Sequence, residues 1–162
     1  MPSQMIFQNR AIYQTITFGK YRGIYLPRLM ITKPYYIIWL FENSAAICNL
    51  HSLKIFIRLF NERPFVNRSC SHCGIRATRL SLYMHDPSLR ILWWCGQCDS
   101  SSSGGDSGRL KVIHSYKDVV CNAKDWCGAP NQNCSRLIRE MFNAKGIDGN
   151  LTDKKLRAFF NN

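Results

Sequence analysis

The chain has 162 residues, of which 46% are hydrophobic and 12% aromatic, so it can build a packed core and is not a disordered chain. Its 22 Lys and Arg outnumber its 10 Asp and Glu, which gives a formal net charge of +12 at pH 7. That charge favours a polyanionic partner, nucleic acid above all, over a basic protein that binds nothing in particular.

The N-terminus predicts no secretory signal, because no basic region precedes a long apolar one. The most apolar run, residues 35–41, is too short to span a bilayer, so we expect no membrane partner. We predict a cytoplasmic protein of a bacterium or a phage-infected host cell. In that reducing compartment its eight cysteines favour metal binding over disulfides.

The first elements predicted are a hairpin and two helices. Residues 11–18 are rich in Ile, Tyr and Thr and predict a strand, and two glycines bracket the turn that follows. Pro34 suits the first position of a helix. A second, amphipathic helix follows, with apolar residues at three- and four-residue spacing, and Pro64 ends it. Lys54 and Arg58 lie four residues apart on one face of that helix.

The turn carries two cations beside an aromatic residue. Lys20, Tyr21 and Arg22 lie between Gly19 and Gly23. A basic aromatic turn can pair with phosphates while stacking a base. The alternative is that the aromatic residues here, Trp39 included, form a small core and the cations are merely solvated. We expect the core for the aromatic residues, and the sequence leaves both options open for the two cations.

This stretch resembles a known family. The Phe-Gly-Lys-Tyr-Arg-Gly run at residues 18–23 and the Pro-Tyr-Tyr-x-x-Trp run at 34–39 are similar to the small C-terminal module of exodeoxyribonuclease X-type exonucleases, which also occurs in stand-alone bacterial and phage proteins. The resemblance covers residues 17–62. Lys33 replaces an acidic residue of the family and Ile37 replaces a leucine. The resemblance implies a hairpin-plus-helices module that accompanies DNA-processing proteins, without catalytic residues of its own.

Two cysteine pairs predict a metal site. Cys70 and Cys73 form one CxxC motif, and Cys95 and Cys98 form a second after 21 intervening residues. Four thiolates are the tetrahedral soft-ligand set that Zn²⁺ prefers, and they leave no open position, so we expect one structural zinc ion. The intervening residues alternate around a turn at 85–88, which predicts a β-hairpin and hence a zinc ribbon. A thioredoxin-like redox pair would need a βαβ context that this pattern lacks.

Beyond a Ser- and Gly-rich tract at residues 100–109, which predicts a flexible loop, the pattern predicts a strand at 110–114 and a helix at about 135–144. Gly146 ends that helix, and residues 152–153 can cap a last short one. Four further residues are of metal-binding types, but their spacing fits no common knuckle, so buried thiols are favoured over a second zinc site. They are His114, Cys121, Cys127 and Cys134.

These elements predict an α+β protein in four segments. They are a hairpin and helix module at 1–64, a zinc ribbon at 65–99, a flexible loop at 100–109, and a strand and helices packed on the ribbon at 110–162. We expect no enzyme and no small-molecule substrate, because the ten acidic residues form no DxD or DxE pair and no P-loop or HExxH motif is present.

We predict a non-catalytic, zinc-stabilised nucleic-acid-binding accessory protein of phage or mobile-element origin, with DNA favoured over RNA, acting in replication, recombination, repair or transcription. The alternative is an adaptor or inhibitor that docks on a host polymerase or nuclease. Tyr83, Trp93 and Trp94 would stack bases if exposed. The candidate nucleic-acid contacts are Lys20, Tyr21, Arg22, Lys54, Arg58, Arg76, Arg79 and Arg90.

Overall fold

The computed structural model describes residues 14–43, 47–83, 88–98, 110–126 and 130–161. Within those ranges the chain forms six helices and three strands, which confirms the predicted α+β class. The helices are α1 (Leu26–Thr32), α2 (Pro34–Glu42), α3 (Ile47–Glu62), α4 (Tyr116–Trp126), α5 (Pro130–Ala144) and α6 (Asp153–Asn161). The strands are β1 (Arg79–Tyr83), β2 (Ile91–Trp94) and β3 (Leu110–Ile113).

A short hairpin precedes α1. Thr15 and Tyr25 form an isolated antiparallel bridge, and the Gly23 N–H donates to the Ile16 carbonyl at 2.8 Å. Gly19 and Gly23 have φ values of 69° and 82°, a left-handed conformation that favours glycine. The strand predicted at residues 11–18 is therefore reduced, over its described part, to this bridge.

Prolines and a capping box fix where the helices begin. Pro34 is the first residue of α2, as predicted, because its missing N–H is one of the donors that a helix start leaves unpaired. The sequence did not predict α4. Its start is a capping box, in which the Asp118 carboxylate accepts from the Ser115 N–H at 3.0 Å and the Ser115 hydroxyl accepts from the Asp118 N–H at 3.2 Å. The helix predicted at 135–144 begins earlier, at Pro130.

The three strands form an antiparallel sheet in the order β2-β1-β3. Leu80 in the central strand β1 lies opposite Trp93 of β2 and opposite Ile113 of β3. The pairing of β1 with β2 is the predicted hairpin, and β3 adds a third strand to it.

One hydrophobic cluster joins the N-terminal hairpin, the helices and the inner face of the sheet. Its members include Leu26 of α1, Phe60 of α3, Leu80 of β1, Leu137 of α5 and Phe160 of α6. The division into four segments stays a prediction. No helix in the described ranges is both long enough and apolar enough to cross a membrane.

Candidate metal centre

The two CxxC motifs bring their four thiols together. The Sγ atoms of Cys70, Cys73, Cys95 and Cys98 all lie within 4.8 Å of one another. The Sγ atoms of Cys73 and Cys95 are 3.6 Å apart, and none of the four cysteines forms a disulfide. A set of four converging thiols can hold one metal ion, so the ligand set predicted from the sequence is assembled by the fold.

The first pair lies in a tight turn. The Gly74 N–H donates to the Cys70 carbonyl at 3.0 Å, and the Cys70 N–H donates to the Ile75 carbonyl at 2.6 Å. Gly74 has φ of 75°, and a Cβ placed there would meet no atom within 4 Å. Backbone conformation, rather than space, is therefore what favours glycine at this position.

The second pair directly follows β2. Cys95 comes next after Trp94, the last residue of that strand, and the Cys98 N–H donates to the Cys95 Sγ at 3.4 Å. The Arg79 guanidinium of β1 donates to the Cys98 carbonyl at 2.6 Å. Strands β1 and β2 therefore hold the second pair from two sides.

One hydrogen-bonded link joins the two pairs. The Ser71 N–H, between the first two cysteines, donates to the Trp93 carbonyl at 2.7 Å. The Trp93 N–H in turn donates to the Ser71 hydroxyl oxygen at 3.1 Å. This reciprocal pair of bonds fixes the first turn against β2, and so fixes the distance between the thiols.

The electrostatics of the cluster favour a bound cation. Burial raises the pKa of the Cys70 thiol, but N–H donors from Cys73, Cys95 and His72 outweigh it and lower that pKa to about 6. Burial and the neighbouring thiols raise the pKa of Cys98 to about 12. Adjacent thiolates repel one another, so all four ionise together only when a cation balances them.

A small apolar cluster surrounds the thiols. Trp94 is fully buried against Cys70, Cys95 and Cys98, and its indole N–H donates to the Ser81 hydroxyl at 2.7 Å. Trp93 is only 9% exposed. Neither tryptophan can stack a base, so the proposed stacking role fails for both. Both rings are packed in the interior.

The structure does not bring the other metal-binding residue types together. Among the described residues, the four-cysteine cluster is the one group of three or more potential ligands that converges. His114 and Cys121 are exposed, whereas Cys134 is fully buried in α5. Cys127 lies outside the described residues. Burial agrees with the expectation of a buried thiol for Cys134, whereas that expectation is wrong for the exposed Cys121.

The cations predicted to contact nucleic acid differ in their exposure and in the groups that lie beside them. Lys20, Arg22, Lys54, Arg76 and Arg90 are exposed. Lys20 Nζ lies 5.7 Å from the centre of the Tyr21 ring, and the Arg90 guanidinium lies 5.6 Å from that of half-buried Tyr83.

Arg58 and Arg79 are bonded to polar groups of the chain. Arg58 forms an exposed ion pair with Glu62 at 3.8 Å, one turn along α3. Arg79 is half-buried, and its guanidinium is bonded to the Cys98 carbonyl. Arg79 therefore supports the metal centre, which makes it a poor candidate for a phosphate contact.

One aromatic residue that was expected in the core is exposed. Trp39 is 47% exposed and stacks on Tyr36, with ring centres 5.5 Å apart and an interplanar angle of 15°. The Tyr21 ring meets Tyr36 edge-on at 4.6 Å. We call Tyr21, Tyr36 and Trp39 the aromatic surface. Ile37 and Leu40 occupy the buried face of α2, and this face could have been found from their three-residue spacing.

The chain matches no family model, no curated protein and no solved structure. Its function has to be argued from its own residues.

Proposed function

We propose that the four thiols bind one structural zinc ion in a zinc ribbon, and that the protein is a non-catalytic accessory protein that binds single-stranded DNA. In a tetrahedral zinc site with Zn–S bonds of about 2.3 Å, neighbouring sulfurs lie about 3.8 Å apart. The 3.6 Å between the sulfurs of Cys73 and Cys95 fits that geometry. Two CxxC turns joined by the β1–β2 hairpin are the arrangement of a ribbon.

Metal analysis tests the zinc proposal. We expect about one zinc ion per chain, and loss of the ion in Cys95→Ser. Cys121→Ser is the matched control, because it removes an exposed thiol outside the cluster and should leave the zinc content unchanged. A metal-free protein that keeps the β1–β2 hairpin would contradict the proposal.

The aromatic surface carries the nucleic-acid proposal. Single strands bind where cations track the phosphates and aromatic faces stack the bases. Trp39 offers a half-exposed ring already stacked on Tyr36, and Lys20 lies beside Tyr21 at one end of the three rings. The net charge of +12 supplies long-range attraction for a polyanion.

A salt series on a short single-stranded DNA separates the two kinds of contact. We expect the logarithm of the affinity to fall linearly with the logarithm of salt concentration. Trp39→Ala should weaken binding about fivefold or more with an unchanged slope, because one stacked base contributes about 1–3 kcal/mol. Lys20→Gln should reduce the slope by about one. No affinity for DNA or RNA at low salt would overturn the proposal.

The alternative is an adaptor or inhibitor that docks on a polymerase or nuclease. The apolar side chain of Ile75, in the first cysteine turn, is 58% exposed, and such a side chain suits contact with protein better than contact with phosphate. A polymerase or nuclease complex that Ile75→Ser weakens and Trp39→Ala does not would favour this alternative.

A further inference from the structure

A second group of cations lines a cavity away from the thiols. The cavity has a volume of about 440 Å³ and opens to solvent between the end of α3, the turn after α5, and α6. Arg63, Lys145 and Lys155 line it, together with one carboxylate, that of Asp148. Within the described part of the chain, none of these three cations forms an ion pair with a carboxylate. The cavity therefore carries an excess of positive charge.

Main-chain carbonyls hold the three cations in place. The Arg63 guanidinium donates to the Phe159 carbonyl at 2.6 Å, and Lys145 donates to the Arg63 carbonyl. Lys155 donates to the carbonyl of Asp148. A guanidinium has five N–H donors and an ammonium has three, so each cation keeps donors for a ligand after making its own bond.

Lys145 is the most constrained of the three. Its side chain is only 8% exposed, and its ammonium lies 4.4 Å from the ring centre of Phe65. The next residue, Gly146, has φ of 108°, and a Cβ there would come within 3.2 Å of Val66. The positive φ favours glycine at this turn, and a side chain there would also have to displace Val66 slightly; the turn places Lys145 beside the cavity.

The buried ammonium of Lys145 is surrounded by neutral groups, namely one carbonyl and two aromatic rings. Burial lowers the pKa of Lys145 to about 8, because the charged form loses hydration that one carbonyl and two aromatic rings do not fully replace. An oxyanion in the cavity would supply the missing counter-charge, and Arg63 and Lys155 would share it.

We infer that this cavity binds a phosphate group, supplied either by a nucleic-acid strand or by a free nucleotide. Phosphate offers several acceptor oxygens to converging ammonium and guanidinium donors. A water molecule occupies about 30 Å³ in the liquid, so 440 Å³ admits a phosphate with part of the group that carries it. The inference depends on neither the metal centre nor the aromatic surface.

A titration with inorganic phosphate, followed through the amide resonances of Gly146 and Ile147, tests the cavity. We expect saturable shifts that chloride at equal ionic strength does not produce. Lys155→Gln should weaken phosphate binding at least tenfold, and it removes an exposed side chain, so the fold should persist. Lys154→Gln is the matched control, an exposed neighbour on α6 that does not line the cavity, and it should change binding less than twofold.

Two results would overturn the inference. One is phosphate shifts no larger than those caused by chloride. The other is an equal loss of binding in Lys155→Gln and Lys154→Gln, since that would mean general charge attraction rather than a site.

A comparison of adenosine 5′-monophosphate with a short oligonucleotide identifies the source of the phosphate. Tighter binding of the oligonucleotide, with Lys155→Gln weakening it, assigns the cavity to a strand; tighter binding of the nucleotide assigns it to a free ligand. Trp39→Ala should leave the inorganic phosphate titration unchanged. If the cavity binds phosphate while no strand binds the protein, the nucleic-acid proposal fails and this inference stands.

Discussion

The described residues form two hydrophobic clusters of different composition. Around the metal centre, the buried residues are three cysteines and Trp94, with Leu92 partly buried against them. In the helical part, buried apolar side chains from every described helix pack into one core. A region with a single large buried side chain gains little from apolar burial, so we propose that a metal ion held by the four thiols stabilises it.

Strand β1 contacts both clusters, because successive side chains in a strand point to opposite faces. Leu80 and Leu82 are buried in the helical core. Ser81 accepts from the indole of Trp94, and Arg79 reaches the Cys98 carbonyl, both on the metal side. Strand β2 contributes Trp93 to the helical core and Trp94 to the cluster at the thiols, so the two clusters meet along both strands. A loss on the metal side need not remove the helical core.

Removal of the proposed zinc ion should have the largest effect and should separate the two clusters most clearly. Apparent binding free energies of structural zinc are about 10–16 kcal/mol, so chelation, or Cys73→Ser, should unfold the two cysteine turns. The emission maximum of tryptophan fluorescence, to which Trp94 contributes, should shift to longer wavelength, while the helical circular dichroism signal is largely retained. Complete loss of helicity at the same chelator concentration would contradict the independence of the two clusters.

A substitution in the helical core should lower the stability of the protein and leave its metal content unchanged. The ring centre of Phe142 lies 4.6 Å from that of Phe60 and 5.3 Å from that of Phe159. Phe142→Ala should lower the free energy of unfolding by about 3–5 kcal/mol, because it leaves a cavity among buried rings. Urea denaturation measures the loss. The metal content of the folded protein should not change, and a lower metal content would show that the clusters are coupled.

Replacement of Lys145 should have the smallest effect, which is a change in how the free energy of unfolding depends on pH. Its pKa is about 8 in the folded chain and higher in the unfolded one, so between about pH 8 and 10 the unfolded state binds more protons. The free energy of unfolding of the wild type relative to Lys145→Met should therefore rise with pH, by at most about 1.4 kcal/mol per unit. Parallel curves over that range would show that Lys145 has an ordinary pKa.

The sequence was most informative where the spacing of nearby residues alone determines the local structure. The two-residue gap in CxxC places two thiols on one turn, and the alternation around residues 85–88 predicts the hairpin that joins the pairs. Pro34 marked the start of α2 because its backbone restriction is local. These features require no knowledge of what packs against them.

Features that depend on distant partners were missed. Trp39 was assigned to the core because small modules need large side chains, but the structure buries the opposite face of α2. Arg63, Lys145 and Lys155 are far apart in the sequence and meet only when α3, α5 and α6 pack together. No local pattern distinguishes Lys145 from the other lysines of this basic chain.

The strand order also determines which fragments of the chain would keep the sheet complete. Because β3 pairs along β1, a fragment that stops after Cys98 would keep the four thiols of the cluster yet leave one side of the central strand without its partner. Such an open edge invites pairing with a second chain. An expression fragment meant to isolate the metal centre should therefore extend through Ile113. The sheet that carries the second cysteine pair is completed by β3, although the Ser- and Gly-rich tract separates the two in the sequence.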